Sequence, residues 1–205
     1  MTVRAVFWDM GGVLVRTEDR TPRNQLADDL GVDLNYLYRL IFSGPLGMRT
    51  QLGEISPDEL WESVRLELGL APEAMGDFQD RFWAGDEVDY DLVEYVRSLR
   101  PRYTTALLSN AWKDMRTVLL EDWKIADAFD EFIISGELGI VKPDPRIYQI
   151  ALERVGVAPK EAVFVDDFPE NVEGARSVGM HAIRFQNPEQ VKAELEETLS
   201  ALESA

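Results

Sequence analysis

Apolar and polar positions divide the chain into a long helical block and a region in which helices and strands alternate. Val3–Trp8 is an apolar run broken only by Arg4, and this pattern predicts a buried strand. From about Arg16 to Asp86 the strand pattern disappears. Apolar residues there recur at helical spacing, for example Leu34, Leu37, Tyr38 and Ile41. The first predicted strand is therefore followed by helices rather than by a second strand.

Helix start signals inside this block predict four or five helices. Thr21 can act as an N-cap with Pro22 in the first turn, and Pro72 begins a further predicted helix. The segment Ser56-Pro57-Asp58-Glu59 is a capping box with proline at the first helical position. We expect these helices to pack together as a small bundle.

After the block, predicted helices and strands alternate along the chain. The predicted strands are Thr104–Ser109, Phe132–Ser135, Ala162–Val165 and His181–Phe185. The predicted helices are Asp91–Leu99, a segment marked by Trp112, Met115, Val118 and Leu119, then Pro145–Val155, Glu170–Val178 and a last helix after Asn187-Pro188. This alternation predicts an α/β fold, a Rossmann-like parallel sheet with helices on both faces. We expect residues 1–15 and 86–205 to form the α/β core and residues 16–85 to form an inserted helical cap.

The composition is that of a globular protein with a strongly acidic surface. Among 205 residues, 45% are hydrophobic and 29% are charged, and the net charge is −17. A surface of this sign repels nucleic acids and anionic membranes, so we expect neither as a partner. No apolar run approaches the length of a membrane span, and the absence of cysteine excludes disulfides and thiolate chemistry. Because the predicted strand begins at Val3, we expect no signal peptide. We therefore expect a cytoplasmic protein, and we expect it to be a monomer or a homodimer.

Four groups of residues with chemical potential lie at predicted strand ends or in the loop before a predicted helix. They are Asp9 with Gly11 and Gly12, Ser109 with Asn110, Lys142, and Asp166 with Asp167. An aspartate at the end of a buried strand is a candidate nucleophile, and consecutive glycines let a phosphate approach the backbone closely. Two adjacent carboxylates near a third are costly unless a cation neutralises them, and hard oxygen ligands suit Mg²⁺. A hydroxyl and a lysine beside that metal would complete a phosphate-binding site.

Each group also has a structural interpretation when it is considered alone. Ser109-Asn110 could cap a helix, Lys142 could be a solvated loop lysine, and Asp166-Asp167 could form a turn. In open α/β folds, however, ligands bind beyond the carboxyl ends of the strands, where these residues are predicted to meet. The combination therefore favours a phosphate site over four unrelated loops.

The order and spacing of these motifs resemble the haloacid dehalogenase superfamily, in its branch with a helical cap after the first motif. The segments Val141–Tyr148 and Asp166–Ala175 are highly specific for this resemblance, which covers nearly the whole chain. It implies a Mg²⁺-dependent phosphatase that acts on a small phosphorylated metabolite through an aspartyl-phosphate on Asp9. By the same resemblance, Ser109 and the adjacent backbone would bind the phosphoryl oxygens, and Lys142 would neutralise Asp9 and the phosphate.

The resemblance also implies where the metal would bind and shows one departure from the family pattern. Mg²⁺ would lie between Asp9, the carbonyl of Gly11 and Asp167, with Asp166 next to it. Most family phosphatases have a second aspartate at the position of Gly11, which protonates the leaving group and later activates water. Since glycine cannot transfer protons, we expect a preference for leaving groups that are stable as anions, such as aryl, acyl or anomeric ones.

Two alternatives remain open beside the phosphatase. A 2-haloacid dehalogenase would also lack the second aspartate, but such enzymes need no metal and do not keep paired carboxylates at the last motif. A catalytically inactive binding protein could retain the fold alone. A phosphonate-cleaving enzyme, which uses a cap lysine, is disfavoured because the first lysine of the chain is Lys113.

Residues outside these motifs are assigned mainly structural roles. We expect Trp8 and the cap aromatics to be core residues and His181, the single histidine, to be structural. Trp112 is a candidate for the pocket border, and Arg16 and Arg49 are candidate substrate contacts. The identity of the substrate is not encoded in a motif, because the cap of such enzymes determines it.

Overall fold

A computed structural model describes residues 2–203 and contains a five-stranded sheet and a separate two-stranded ribbon. The strands are β1 (Ala5–Trp8), β2 (Val15–Thr17), β3 (Asp86–Val88), β4 (Thr104–Ser109), β5 (Glu131–Ile134), β6 (Ala162–Asp166) and β7 (His181–Arg184). The sheet has the strand order β5-β4-β1-β6-β7, and every neighbouring pair in it is parallel. β2 and β3 pair antiparallel and form the β-ribbon.

Eleven α-helices lie among the described residues. They are α1 (Thr21–Leu30), α2 (Leu34–Tyr38), α3 (Pro45–Gln51), α4 (Pro57–Leu68), α5 (Met75–Trp83), α6 (Tyr90–Leu99), α7 (Met115–Thr117), α8 (Ser135–Leu138), α9 (Pro145–Val155), α10 (Pro169–Ser177) and α11 (Pro188–Glu203). Turns of π-helix follow α2 at Arg39–Ser43 and α7 at Val118–Asp122, and short 3₁₀ turns occur at Pro72–Ala74, Ala126–Ala128 and Pro159–Glu161.

Helices cover both faces of the five-stranded sheet, as the sequence predicts. Successive side chains of β1 point to opposite faces because the period of a strand is two residues. Val6 and Trp8 pack in a cluster with buried residues of α6 and α11, whereas Phe7 packs with buried residues of α9 and α10. Trp8 is fully buried, which confirms its core role. The α/β Rossmann-like fold class is therefore confirmed.

Helices α1–α5 follow β2 and precede β3 in the sequence, and they bury a core of their own. Its buried members are Leu26, Ala27, Leu37, Ile41, Ile55, Leu60, Val64, Phe78 and Phe82. Ser56 and Glu59 make both hydrogen bonds of the capping box that starts α4. This block is the cap that the sequence predicts, and its domain boundaries remain a prediction.

Three local features differ from the sequence predictions. The β-ribbon was not predicted, because its two strands have only three residues each and no fully buried side chain. Pro72 starts a 3₁₀ turn, and the α-helix begins only at Met75. The predicted helix near Trp112 is a short α-helix followed by a π-helical turn, and Trp112 precedes both.

The described helices also bear on the prediction about membranes. None of them combines the length and the apolar character needed to cross a bilayer. The expected absence of nucleic acid partners remains a prediction.

Candidate active site

Three strand ends meet at one edge of the sheet and bring the candidate residues together. Trp8 at the end of β1 is in register with Leu107 of β4 and Val165 of β6. Asp9 continues this register, since its backbone N–H donates to the carbonyl of Val165 at 2.9 Å. Ser109 and Asp166, the last residues of β4 and β6, therefore flank the nucleophile candidate. This edge is the carboxyl end of a parallel sheet, where ligands bind in open α/β folds.

The ammonium group of Lys142 lies at the centre of this edge. Its Nζ is 2.7 Å from Asp9 Oδ1 and 2.7 Å from Asp166 Oδ2, and it donates to the carbonyl of Leu108 at 2.9 Å. The Lys142 side chain is 1% exposed. Burial alone would lower the pKa of Lys142, but the two carboxylates outweigh burial and raise the pKa above its ordinary value. The two carboxylates therefore favour the charged form of Lys142.

The amide of Asn110 fixes the backbone of Lys142. The Lys142 N–H donates to Asn110 Oδ1 at 2.7 Å, and Asn110 Nδ2 donates to the Lys142 carbonyl at 3.0 Å. Asn110 thus joins the loop after β4 to the lysine loop. These two hydrogen bonds position Lys142. Whether Asn110 also contacts phosphate is still a prediction from the sequence.

The adjacent carboxylates Asp166 and Asp167 have opposite environments. Asp166 is fully buried, and its oxygens accept hydrogen bonds from Lys142, from Asn171 Nδ2 at 3.1 Å and from the Phe168 N–H at 2.8 Å. Asp167 has a buried oxygen, Oδ1, without a hydrogen-bond partner. Burial, and secondarily the charge of Asp166, raises the pKa of Asp167 to about 6. The protein thus supplies hydrogen-bond donors to both oxygens of Asp166, whereas it supplies none to Oδ1 of Asp167.

Sequence reasoning missed the role of Asn171. It lies in the first turn of α10, within the segment that carries the family resemblance, and it is 6% exposed. Its amide holds both oxygens of Asp166. The signal was its position five residues after Asp166, which places it over the strand end once a helix starts at Pro169.

The three carboxylates form a cluster that can hold a metal ion. One oxygen from each of Asp9, Asp166 and Asp167 lies within 4.8 Å of the others. Burial raises the pKa of Asp9 to about 7, although Lys142 partly offsets this effect. One lysine cannot neutralise three ionised carboxylates, and Asp167 Oδ1 has no donor. A divalent cation with oxygen ligands fits both the excess negative charge and the unpaired oxygen.

The two glycines of the first motif have different surroundings. Gly12 has a φ of +81°, and a Cβ there would lie 2.3 Å from Asp167 Oδ2, so the turn requires glycine. A Cβ on Gly11 would meet no heavy atom within 4 Å beyond its chain neighbours. The space beside Gly11 could therefore hold a larger side chain, although this sequence does not supply one.

Ser109 and Ser135 are both buried hydroxyl residues near the loop after β4. Ser109 is 2% exposed and lies between Leu108 and Asn110, which both contact Lys142. Ser135, which sequence reasoning assigned only to a strand, accepts the Ala111 N–H at 3.0 Å. Its Oγ also donates to the carbonyl of Gln51 in the cap at 2.7 Å. Ser135 therefore links this loop to the cap.

The remaining candidates lie around the site in different ways. Trp112 packs against aromatic residues of the cap. Arg16 pairs with Asp89 at 2.9 Å, and Arg49 pairs with Glu54 at 3.4 Å, so each arginine already has an acidic partner. Their predicted contacts with substrate remain predictions.

His181 starts β7 opposite Val163. The carboxyl end of the same pair of strands is reached at Asp166 and Arg184, three residues further along. His181 therefore lies away from the edge that carries the candidate site, as the sequence predicts.

The chain belongs to the haloacid dehalogenase-like hydrolase family, whose sequence model matches residues 3–179. The resemblance seen in the motifs is thereby confirmed, and so is the prediction of a hydrolase.

Similar proteins include members with two different activities. A D-ribitol-5-phosphate phosphatase from Bacteroides thetaiotaomicron is 27% identical over 94% of this chain and 97% of its own length. (S)-2-haloacid dehalogenase 1 from a Pseudomonas species is 29% identical over 89% of this chain and 84% of its own length. For three further curated relatives, the match spans only 7%, 49% and 21% of their lengths.

A solved structure shares the fold of this chain. The crystal structure of a family enzyme from Bacteroides thetaiotaomicron, in complex with magnesium and inorganic phosphate, superimposes with a TM-score of 0.76. The two chains are 21% identical, and the match covers 90% of this chain and 94% of the other. This likeness supports the fold, and the ligands belong to that protein.

Proposed function

We propose that this protein is a Mg²⁺-dependent phosphatase that hydrolyses a small phosphorylated metabolite through an aspartyl-phosphate on Asp9. The observation that carries the proposal is the unpaired, buried Oδ1 of Asp167 in a cluster of three carboxylates beside Lys142. Such a cluster is costly without a cation, whereas a metal and an anionic substrate together would balance it. The phosphatase among the full-length relatives supports the same activity.

Asp9, Asp167 and the carbonyl of Gly11 are the proposed metal ligands. Asp166 is committed to Lys142, Asn171 and the backbone, so its proposed part is to support the metal site from beside it. The bound ion would supply positive charge against the carboxylates and the phosphoryl group.

The proposed reaction has two steps at phosphorus. In the first, a carboxylate oxygen of Asp9 forms a bond to phosphorus while the bond from phosphorus to the leaving oxygen breaks. In the second, the oxygen of a water molecule forms a bond to phosphorus while the bond from phosphorus to Asp9 breaks and a proton of the water passes to solvent; inorganic phosphate leaves, and the Asp9 carboxylate is regenerated. Lys142 neutralises Asp9 and the phosphoryl group, while the Ser109 hydroxyl and the neighbouring backbone N–H groups donate to the phosphoryl oxygens.

Substrate preference follows from the glycine at position 11. Without an acid there, the leaving oxygen departs as an anion, so aryl, acyl or anomeric phosphates should react faster than alkyl ones. The second step also lacks a base, and we expect the aspartyl-phosphate to accumulate as an initial burst.

Hydrolysis of an aryl phosphate tests the proposal directly. We expect turnover with Mg²⁺ and its loss with a chelator or in Asp9→Asn. Asp80→Asn, which changes an exposed residue of α5, serves as the matched control and should keep full activity. Full activity of the chelated enzyme or of Asp9→Asn would refute the mechanism.

The similarity to a haloacid dehalogenase calls for a second assay. In the same experiment, release of halide from a 2-haloacid without added metal measures dehalogenation. Halide release that depends on Asp9, together with no phosphate release, would assign the site to that reaction instead. Absence of both activities would favour an inactive binding protein.

Gly11→Asp tests the proposed absence of a general acid. The side chain has room, since a Cβ at Gly11 meets no heavy atom within 4 Å. We expect alkyl phosphate hydrolysis to rise by roughly 10²-fold and the dependence on leaving-group pKa to flatten. If the wild-type enzyme already hydrolyses alkyl and aryl phosphates at similar chemical-step rates, another group supplies the proton and this explanation of Gly11 is wrong.

A further inference from the structure

Trp112 joins the loop after β4 to the aromatic core of the cap. Its ring centroid is 5.6 Å from that of Trp61 and 6.1 Å from that of Trp83, and these two rings are 6.2 Å apart. All three ring pairs are edge-to-face, with interplanar angles of 82°, 73° and 90°. Such pairs attract beyond simple area burial. We call these residues the tryptophan triad; two belong to the cap, and one belongs to the loop that follows Ser109.

A second contact between cap and core lies beside the triad. Ser135 bridges the Ala111 N–H and the Gln51 carbonyl, as described above. The backbone of Gly53 also lies close to the core here, since a Cβ on it would come within 2.1 Å of the Gly136 carbonyl oxygen. The end of α3 and its following turn are therefore seated on the start of α8, and Ser135 of α8 is hydrogen-bonded to Ala111 in the loop that contains Trp112.

The loop is held on its other side by the catalytic lysine. Asn110, the residue between Ser109 and Ala111, makes two hydrogen bonds to the backbone of Lys142. The four consecutive residues 109–112 thus connect the candidate phosphate-binding residues to the cap. A shift of the cap must break the triad, or move this loop with it.

We propose that Trp112 is a positioning residue that couples closure of the cap to binding of the phosphoryl group at Ser109 and Lys142. The inference rests on the proposed function, because it assumes that phosphate binds at this loop. Coupling of this kind is reciprocal: the closed cap orders the loop for phosphate, and bound phosphate holds the cap closed. The β-ribbon attaches the two chain ends of the cap to the core. The triad supplies the contact through which binding of the ligand would affect the cap.

The test measures binding of inorganic phosphate and the mobility of the cap in the same samples. Wild type, Trp112→Phe, Trp112→Ala and the control Trp123→Ala are titrated with phosphate in Mg²⁺ by calorimetry. Hydrogen exchange of amides in α3 and α4 is followed with and without phosphate. Trp123 is a suitable control because it packs against the cluster of α6 and α11, within the core.

We expect phosphate to slow exchange in α3 and α4 of the wild type and of Trp123→Ala. In Trp112→Ala, phosphate should still bind, about tenfold more weakly, but this protection of the cap should disappear. Trp112→Phe keeps an aromatic ring and should give an intermediate result. A purely structural role would change exchange equally with and without phosphate.

Equal phosphate-dependent protection in Trp112→Ala and the wild type would overturn the inference. Failure of the wild type to bind phosphate would instead overturn the proposed function, so the two failures are distinguishable. If Trp112→Ala does not fold, Trp112→Phe decides the question by the size of its protection relative to wild type. Steady-state kinetics add a further readout, since loss of coupling should raise KM for substrate and not only lower kcat.

Discussion

Two buried cations, Lys142 in the core and Arg23 in the cap, solve the same electrostatic problem in different ways. The Arg23 side chain is 3% exposed and pairs with Asp86 of β3 at 2.6 Å. It also donates to Thr17 Oγ1 at 3.1 Å, to the Phe82 carbonyl at 2.6 Å and to the Tyr38 hydroxyl at 2.7 Å. Its guanidinium lies 4.3 Å from the centre of the Phe82 ring. Arg23 therefore has one carboxylate and a complete set of neutral partners.

The negative charge around Lys142 exceeds the single positive charge of its ammonium group. It contacts two carboxylates, and the third member of the cluster, Asp167, keeps a buried oxygen without a donor. A cation that is fully matched stabilises a junction, here between the cap and the β-ribbon. A site that retains excess negative charge and carboxyl groups with raised pKa values is instead a candidate for binding a ligand. The comparison teaches that burial alone does not distinguish the two, whereas the remaining unpaired group does.

Replacing each cation by methionine should separate the two roles most strongly. We expect Lys142→Met to reduce turnover of an aryl phosphate by about 10³-fold or more, because charge on the phosphoryl group loses its compensation. Arg23→Met should change turnover by less than about tenfold, since Arg23 touches the β-ribbon rather than the reacting atoms. Steady-state rates at a temperature where both variants are folded measure this difference. Similar losses in the two variants would mean that the junction also shapes the reaction centre.

The free energy of unfolding should show whether Arg23 stabilises the junction between the cap and the β-ribbon through its charge. Arg23→Met leaves Asp86 without its cation, and we expect the free energy of unfolding to fall by about 3 kcal/mol. The double variant Arg23→Met/Asp86→Asn should recover part of this loss, because it no longer contains a half-buried carboxylate without its cation. Denaturant unfolding of the single and double variants measures both values. No recovery in the double variant would show that aromatic packing around Arg23 matters more than its charge.

The adjacent aspartates offer a matched pair of identical substitutions with opposite expected effects. In metal-free protein at about pH 8, Asp166→Asn should lower the free energy of unfolding by about 2 kcal/mol, because it disrupts hydrogen bonds to a charged group. Asp167→Asn should raise it by about 1 kcal/mol, because it removes an unpaired charge from the cluster, with allowance for partial solvent screening. Chemical denaturation in the presence of a chelator gives both numbers. Effects of the same sign would show that the two carboxylates have equivalent environments after all.

The sequence predicted most of the fold and the members of the candidate site for identifiable reasons. Apolar runs and proline or serine caps placed elements such as Thr104–Ser109 and Pro145–Val155 at their observed bounds. Because parallel strands end at one edge, the residues after them could be expected to meet, and the structure places Asp9, Asp166 and Lys142 in contact. Their catalytic and metal-binding roles remain predictions.

Two of the features that were missed depend on contacts between segments far apart in the sequence. The β-ribbon pairs Val15 with Val88, and neither strand is long enough to show alternation. Ser135 meets Gln51 across 84 positions, and no local pattern reports such a contact. The unequal environments of Asp166 and Asp167 arise from the direction of two side chains, which adjacent identical residues do not reveal.

The effect expected to be smallest for a single step, here one pH unit, concerns the pH dependence of the Lys142 site and its response to Mg²⁺. The pKa of Asp9 is raised to about 7 and that of Asp167 to about 6, from ordinary values near 3.8. Between about pH 4 and about pH 7 the metal-free folded protein therefore binds more protons than the unfolded chain, and its stability falls as the pH rises through this window.

Mg²⁺ would replace those protons, so its stabilising effect should grow over the same window and level off above about pH 7. We expect an increase of about 1 kcal/mol per pH unit in the difference between samples with Mg²⁺ and with chelator. Unfolding curves at several pH values measure it, and Asp167→Asn should flatten the dependence. The Arg23 junction contributes nothing to this difference, so Arg23→Met should keep the slope while lowering the stability at every pH. A slope that disappears in Arg23→Met would assign the metal response to the cap rather than to the carboxylate cluster.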